Sequence, residues 1–243
     1  MEALYRLLRI TPGITSVIGS GGKSSLIRCL AEEMPGRVLV TTTTHMYPWR
    51  PEHFLPSTGP EDLPALVEGL AQTPLLCVGA PAADGKISAP GVPFSELLPL
   101  ADYILVEADG SRQLPLKAHA DWEPVIPDAS GQTICVVGAS GFGRPVREVC
   151  HRPELYCRRS GLSLQDPATA ASCIRVLLQE QLCTRIFINQ ADPPISASLR
   201  QELDLFAKQW KKMCTQARCV HIIGFLCIRN NFRMQNDILS VNN

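Results

Sequence analysis

Residues 15–27, TSVIGSGGKSSLI, run an apolar stretch into three glycines, a lysine and two serines, and then resume with apolar residues at the start of a helical pattern. A strand that breaks at glycines and restarts as a helix turns successive backbone N–H groups toward one point. The positive end of the helix faces the same point. Such a point holds phosphate. Gly19, Ser20, Gly21, Gly22, Lys23, Ser24 and Ser25 are therefore the expected nucleotide-binding loop, with Lys23 reaching the β and γ phosphates and the Ser24 hydroxyl on Mg²⁺. The full pattern for such a loop has glycine where Val17 stands.

The shorter variant G-S-x-G-K-S-S resembles the phosphate loop of the Mur-type ligases. Outward from it, continuous apolar runs recur at 37–41, 75–79, 103–108, 133–138, 185–189 and 219–224, the pattern of strands covered on both faces. Helical periodicity fills 24–34, 60–72, 166–182 and 196–213. The alternation predicts an α/β protein with a P-loop NTPase-like three-layer fold and a mostly parallel sheet. Most of the 20 prolines fall between elements. Residues 109–131 and 139–165 read as long loops, a length that usually carries function.

A single domain over residues 1–227 is expected. The last 16 residues hold five asparagines, whereas the preceding 227 hold only Asn189, so 228–243 read as an atypical polar tail, disordered or frameshifted. Across 243 residues, 23 basic side chains balance 23 acidic ones, and 45% of the residues are hydrophobic. That composition supports a sizeable core and supplies no global basic field for nucleic acid or an anionic membrane. No membrane span or signal peptide is evident, and a cytoplasmic location is expected. The ten cysteines include no C-x-x-C pair. They read as reduced, buried small hydrophobes, with Cys150 beside His151 as the one pair that could carry a reactive thiol.

A phosphate loop working with Mg²⁺ needs a carboxylate at a nearby strand end, and ADYILVEADG (101–110) supplies Glu107 and Asp109. Either could hold the metal; as a turn signal, Asp-Gly could equally mark a solvated loop. The run VTTTTHMY (40–47) offers Thr43 and Thr44 to phosphate or substrate. RIFINQAD (185–192) sets Asn189 and Asp192 after a strand, where GTPases carry N-K-x-D to read guanine. Gln190 in place of the lysine leaves the base open, ATP or GTP, and Asp192 could instead cap a helix. Arg112, Lys117 and His119, with Glu123, crowd the stretch after the acidic strand, where basic groups suit a small anionic substrate. His151 and Arg152 offer a similar contact.

Together, IGSGGKSS, VTTTTHMY, LVEADGSRQLPLKAHADWEPVIP (105–127), HRPELY (151–156) and FINQAD (187–192) resemble the YqeC family. The resemblance covers roughly residues 14–226, and its most specific part is VEADGS to EPVIP. It implies a nucleotide-dependent accessory to maturation of selenium-containing molybdenum hydroxylases, with the maturation factors of those enzymes as partners. It carries over to Lys23, Ser24, Glu107, Asp109, Lys117 and Glu123. The expected activity is Mg²⁺-dependent NTP hydrolysis or phosphoryl transfer, with Lys23, Glu107, Asp109 and Lys117 as its catalytic residues. The competing expectation is a nucleotide-gated accessory protein or chaperone with little turnover. A Mur-like ligase suits the loop but not the chain length.

Overall fold

The computed structural model describes residues 2–191, 195–213 and 222–223. Its strands are β1 (Gly13–Gly19), β2 (Val38–Thr42), β3 (Phe54–Pro56), β4 (Leu75–Pro81), β5 (Ile87–Ser88), β6 (Tyr103–Glu107), β7 (Leu116–Lys117), β8 (Ser130–Gly138), β9 (Cys150–His151), β10 (Arg185–Asn189) and β11 (Ile222–Ile223). The helices are α1 (Leu4–Leu7), α2 (Lys23–Glu33), α3 (Leu63–Gln72), α4 (Phe94–Leu97), α5 (Val146–Val149), α6 (Pro153–Ser160), α7 (Ala170–Glu180) and α8 (Ala197–Met213). The apolar runs of the sequence became strands and the periodic segments became helices. The chain is mixed α/β.

One nine-stranded sheet runs in the order β11-β10-β8-β1-β6-β2-β4-β3, with β5 paired to β4. Every pairing in it is parallel except β4 with β5. Strand side chains alternate between two cores. Ile14, Ile18, Ile104, Val106 and Ile188 pack with Leu66 of α3, Ile174 of α7 and Phe206 of α8. Val17, Val40, Leu105, Val136 and Phe187 pack with Leu26, Ile27 and Leu30 of α2 and with Leu4 of α1. Helices thus cover both faces, which is why the strands read as unbroken apolar runs.

The central strand β1 carries the glycine loop at its carboxyl end. Register places Val17 beside Glu107 of β6, and Gly19 beside Val136 of β8. The tips of three strands therefore meet around the loop, at the edge where parallel sheets hold ligands. Off the main sheet, β7 and β9 form a two-residue parallel pair, Leu116 with Cys150 and Lys117 with His151. This pair, with α5 and α6, organises the stretches 109–131 and 139–165 that sequence reads only as long loops. No helix among the described residues is long and apolar enough to cross a membrane. The tail at 228–243 lies outside the described residues.

Candidate functional site: a glycine loop and a buried charge network

Gly19, Gly21 and Gly22 hold φ of +90°, +87° and +117°, values open to glycine and rarely to other residues. At Gly21 a Cβ would collide with the backbone of Gly138 and stand 3.0 Å from the Pro115 carbonyl; at Gly22 it would collide with the Asn189 amide. Ser20 is tied down by its N–H on the Val136 carbonyl at 2.9 Å and by its hydroxyl on the Leu114 carbonyl. Helix α2 starts at Lys23 with no side chain capping it. Its first-turn amides are thus left to another acceptor.

Lys23 and Ser24, neighbours at the head of α2, divide the strand-end carboxylates between them. Lys23 is buried; its Nζ donates to the Gly19 carbonyl at 2.9 Å and to Ser111 Oγ at 3.2 Å, and lies 3.1 Å from Asp109 Oδ1. That ammonium supplies charge without alignment, so Oδ1 has no directed hydrogen bond. Ser24, exposed, donates its hydroxyl to Glu107 Oε2 at 2.7 Å. Ser25 is half-buried. Burial pushes the Glu107 carboxyl above its ordinary pKa, against the opposing pull of Lys23 and Ser24.

Asp109 is fully buried at the centre of a charge network. Its Oδ2 accepts from the Gly19 N–H at 2.9 Å and from His119 Nε2 at 2.8 Å, and the Lys117 ammonium pairs with it electrostatically at 2.9 Å. Burial alone would raise its pKa, but the His119 hydrogen bond and the Lys23 and Lys117 charges win and hold it below the carboxylate range. The other nitrogen of His119, Nδ1, meets Glu180 Oε2 at 2.7 Å, so both ring nitrogens face carboxylates and both must donate. Its pKa accordingly rises although burial opposes the charge. Arg159 closes this end, donating to Glu180 at 2.5 Å and to the His119 carbonyl at 2.6 Å.

Lys117 also donates to the Gly110 carbonyl at 2.5 Å and pairs with Glu123 at 3.0 Å, and Arg152 Nε reaches the other Glu123 oxygen at 2.7 Å. Four permanent cations, Lys23, Lys117, Arg152 and Arg159, thus face four carboxylates, Glu107, Asp109, Glu123 and Glu180, with His119 bridging Asp109 and Glu180.

The structure therefore gathers Lys23, Ser24, Glu107, Asp109, Lys117, His119 and Glu123 in one network, but in two settings. Lys117 and His119, read from sequence as substrate contacts, are buried with their polar atoms taken by carboxylates. Arg112 stands apart and exposed. Thr43 braces the Glu107 strand end, its N–H on the Glu107 carbonyl at 3.1 Å and its hydroxyl on the Val125 carbonyl at 2.6 Å. The Thr44 N–H bonds to Thr42 Oγ1 at 3.0 Å. Asn189 turns onto the loop, donating to the Gly21 carbonyl at 2.9 Å, while its buried Oδ1 has no partner among the described residues. Asp192 lies outside the described residues. Cys150 is buried, its thiol pKa pushed up by burial, the setting of an inert side chain.

Two members of the network escaped sequence reading: Glu180, at the end of α7, and Arg159, in α6. Glu180 is 61 residues from His119, and no local pattern links them. Only the packing of α6 and α7 brings them together.

Fold and site define an α/β protein with a glycine loop and paired strand-end carboxylates at the carboxyl edge of a parallel sheet. A family model described as YqeC protein matches residues 15–154, a span holding the loop, both carboxylates and the 110–123 segment. Over 211 residues the chain is 37% identical to "Uncharacterized protein YqeC" of Escherichia coli (strain K12), covering 79% of this chain and 81% of that protein. The chain belongs to the YqeC family.

Proposed function

We propose that the glycine loop binds the phosphates of a nucleoside triphosphate, ATP or GTP, in a P-loop NTPase-like arrangement, and that the chain hydrolyses the nucleotide or transfers its γ-phosphoryl group to a small anionic acceptor. One observation carries this reading: Lys23 sits on Asp109 while Ser24 sits on Glu107, both at the head of an uncapped helix behind three positive-φ glycines. The loop amides and Lys23 would hold the phosphate charge.

The donors for Mg²⁺ fit at one place. The Ser24 hydroxyl and the Glu107 carboxylate are hard oxygens 2.7 Å apart. Among the described residues no group of three His, Cys, Asp or Glu side chains is placed to hold a metal ion, so phosphate and water oxygens would complete the coordination. When bound, the ion supplies charge neutralisation at the β and γ phosphates. Asp109 takes a different part. Two donors and the Lys117 ammonium already hold its Oδ2, so it acts as a positioning residue, fixing the Gly19 amide and the Lys23 ammonium. Asn189 positions the loop from the opposite side.

The nucleotide-gated reading draws on the ion pairs that run from Lys23 through Asp109, Lys117 and Glu123 to Arg152. Phosphate that draws Lys23 from Asp109 would disturb the chain of pairs as far as the start of α6. Maturation of a selenium-containing molybdenum cofactor, as the pathway served, rests on the family resemblance.

Calorimetric titration of ATP and GTP with Mg²⁺, followed by phosphate release, tests both readings. Lys23→Ala is expected to weaken binding by about 10- to 100-fold, the worth of a charge-assisted hydrogen bond. Turnover marks the enzyme, and binding with little turnover marks the gate. Folded protein that binds neither nucleotide overturns both.

A further inference from the structure

A cavity of about 440 Å³ opens between the 110–123 segment and the head of α6, within the ordinary size range of small-molecule sites. Arg112, Trp122, His151, Arg152, Leu155 and Arg158 line it. It takes none of the glycine-loop residues. We infer that this cavity is a binding site for a small aromatic or heteroaromatic phosphomonoester, separate from the nucleotide loop.

The anion preference comes from the guanidinium groups. Arg112 and Arg158 enter no ion pair among the described residues, and Arg152 is fixed through Nε alone, by Glu123 at 2.7 Å. Asp121 and Glu154 also line the cavity, so three arginines meet two carboxylates on its wall, while Glu123 behind it is shared between Arg152 and Lys117. The head of α6 adds its partial positive charge. A phosphomonoester brings three acceptor oxygens and close to two negative charges, matching several guanidinium donors at once.

The ring preference comes from Trp122. Trp122 is 73% exposed, the largest exposure among the big apolar residues described, and it lies on the cavity wall with the Arg152 guanidinium 4.9 Å from the ring centre. An indole gains most by stacking on another flat ring. Arg112 and Arg152 both hold positive φ, +49° and +65°, a backbone cost the fold sustains at two wall residues.

The test is calorimetry on the full chain with 1-naphthyl phosphate and with flavin mononucleotide, against 1-naphthol, riboflavin and inorganic phosphate. At least one ring phosphate is expected to bind, about tenfold or more tighter than its dephosphorylated ring and than inorganic phosphate. Trp122→Ala and Arg158→Ala, both at exposed positions, should each weaken it about tenfold. Lys23→Ala removes no group from the cavity wall and should retain the ring-phosphate binding, with at most a small shift passed along the ion pairs to Arg152. Loss of nucleotide binding in that variant with retention of the ring phosphate separates the two sites. The inference is overturned if neither ring phosphate binds, if inorganic phosphate binds as tightly, if both cavity variants are silent, or if Lys23→Ala removes the binding.

Discussion

The Lys117–Glu123 ion pair joins two regions of opposite character. On the Lys117 side, Asp109, His119 and Glu180 are sealed from water and hold one another through hydrogen bonds of 2.7 and 2.8 Å. On the Glu123 side, Arg152, Trp122 and Arg158 face the cavity and solvent. Charged residues thus do different work in the two regions. In the buried half each charge is committed to a partner, since an unpaired charge there would cost several kcal/mol. In the exposed half Arg152 spends only its Nε on Glu123 and Arg158 enters no ion pair among the described residues, at little cost because water solvates it. Away from the glycine loop, burial therefore separates charged groups committed to one another from those open to solvent.

Breaking the buried half should have the largest effect. Asp109→Ala leaves Lys23, Lys117 and His119 without their shared counter-charge and is expected to cost about 3–5 kcal/mol in urea unfolding. A loss under 1 kcal/mol would mean that water reaches the network. Glu180→Ala removes the partner of His119 Nδ1 and Arg159 and should cost about 2–3 kcal/mol, with Asp109 still in place.

The contrast also predicts the pH dependence of stability. Asp109, held below its ordinary 3.8, contributes stability above that pH that is lost as pH falls through its folded value. His119, held above 6.5, contributes fully below 6.5, and its share is lost as pH rises through its folded value. Glu107, raised above 4.5, adds a second decline that starts at lower pH. Melting curves between pH 5 and 9 should show His119→Gln lacking the upper decline and Glu107→Gln lacking the lower one. A His119→Gln curve parallel to wild type would show that the imidazole is neutral in the folded protein.

The smallest effects belong to the exposed half. Trp122→Ala and Arg158→Ala should each shift stability by no more than about 0.5 kcal/mol in the same urea titration. A larger loss from either would make that side chain a structural brace and erase the contrast.

Much of the architecture is legible in the sequence because it depends on local physics. Apolar runs that end in Gly-Ser-Gly-Gly-Lys or Glu-Ala-Asp-Gly announce covered strands and their ligand-facing tips, and α2, α7 and α8 follow their helical spacing. The β7–β9 pair is too short to carry any period, and the polar PELYCRRS of α6 shows little apolar stripe, so both hid inside apparent loops. The sequence by itself determined which residues could hold phosphate and which carboxylates stood near them. Only the tertiary structure decided that Glu107 serves Ser24 while Asp109 serves Lys23, that Lys117 and His119 are buried braces, and that Glu180 arrives from α7 to hold His119. Pairing a charge in the interior depends on neighbours supplied by distant segments, and no local pattern of residues records that proximity.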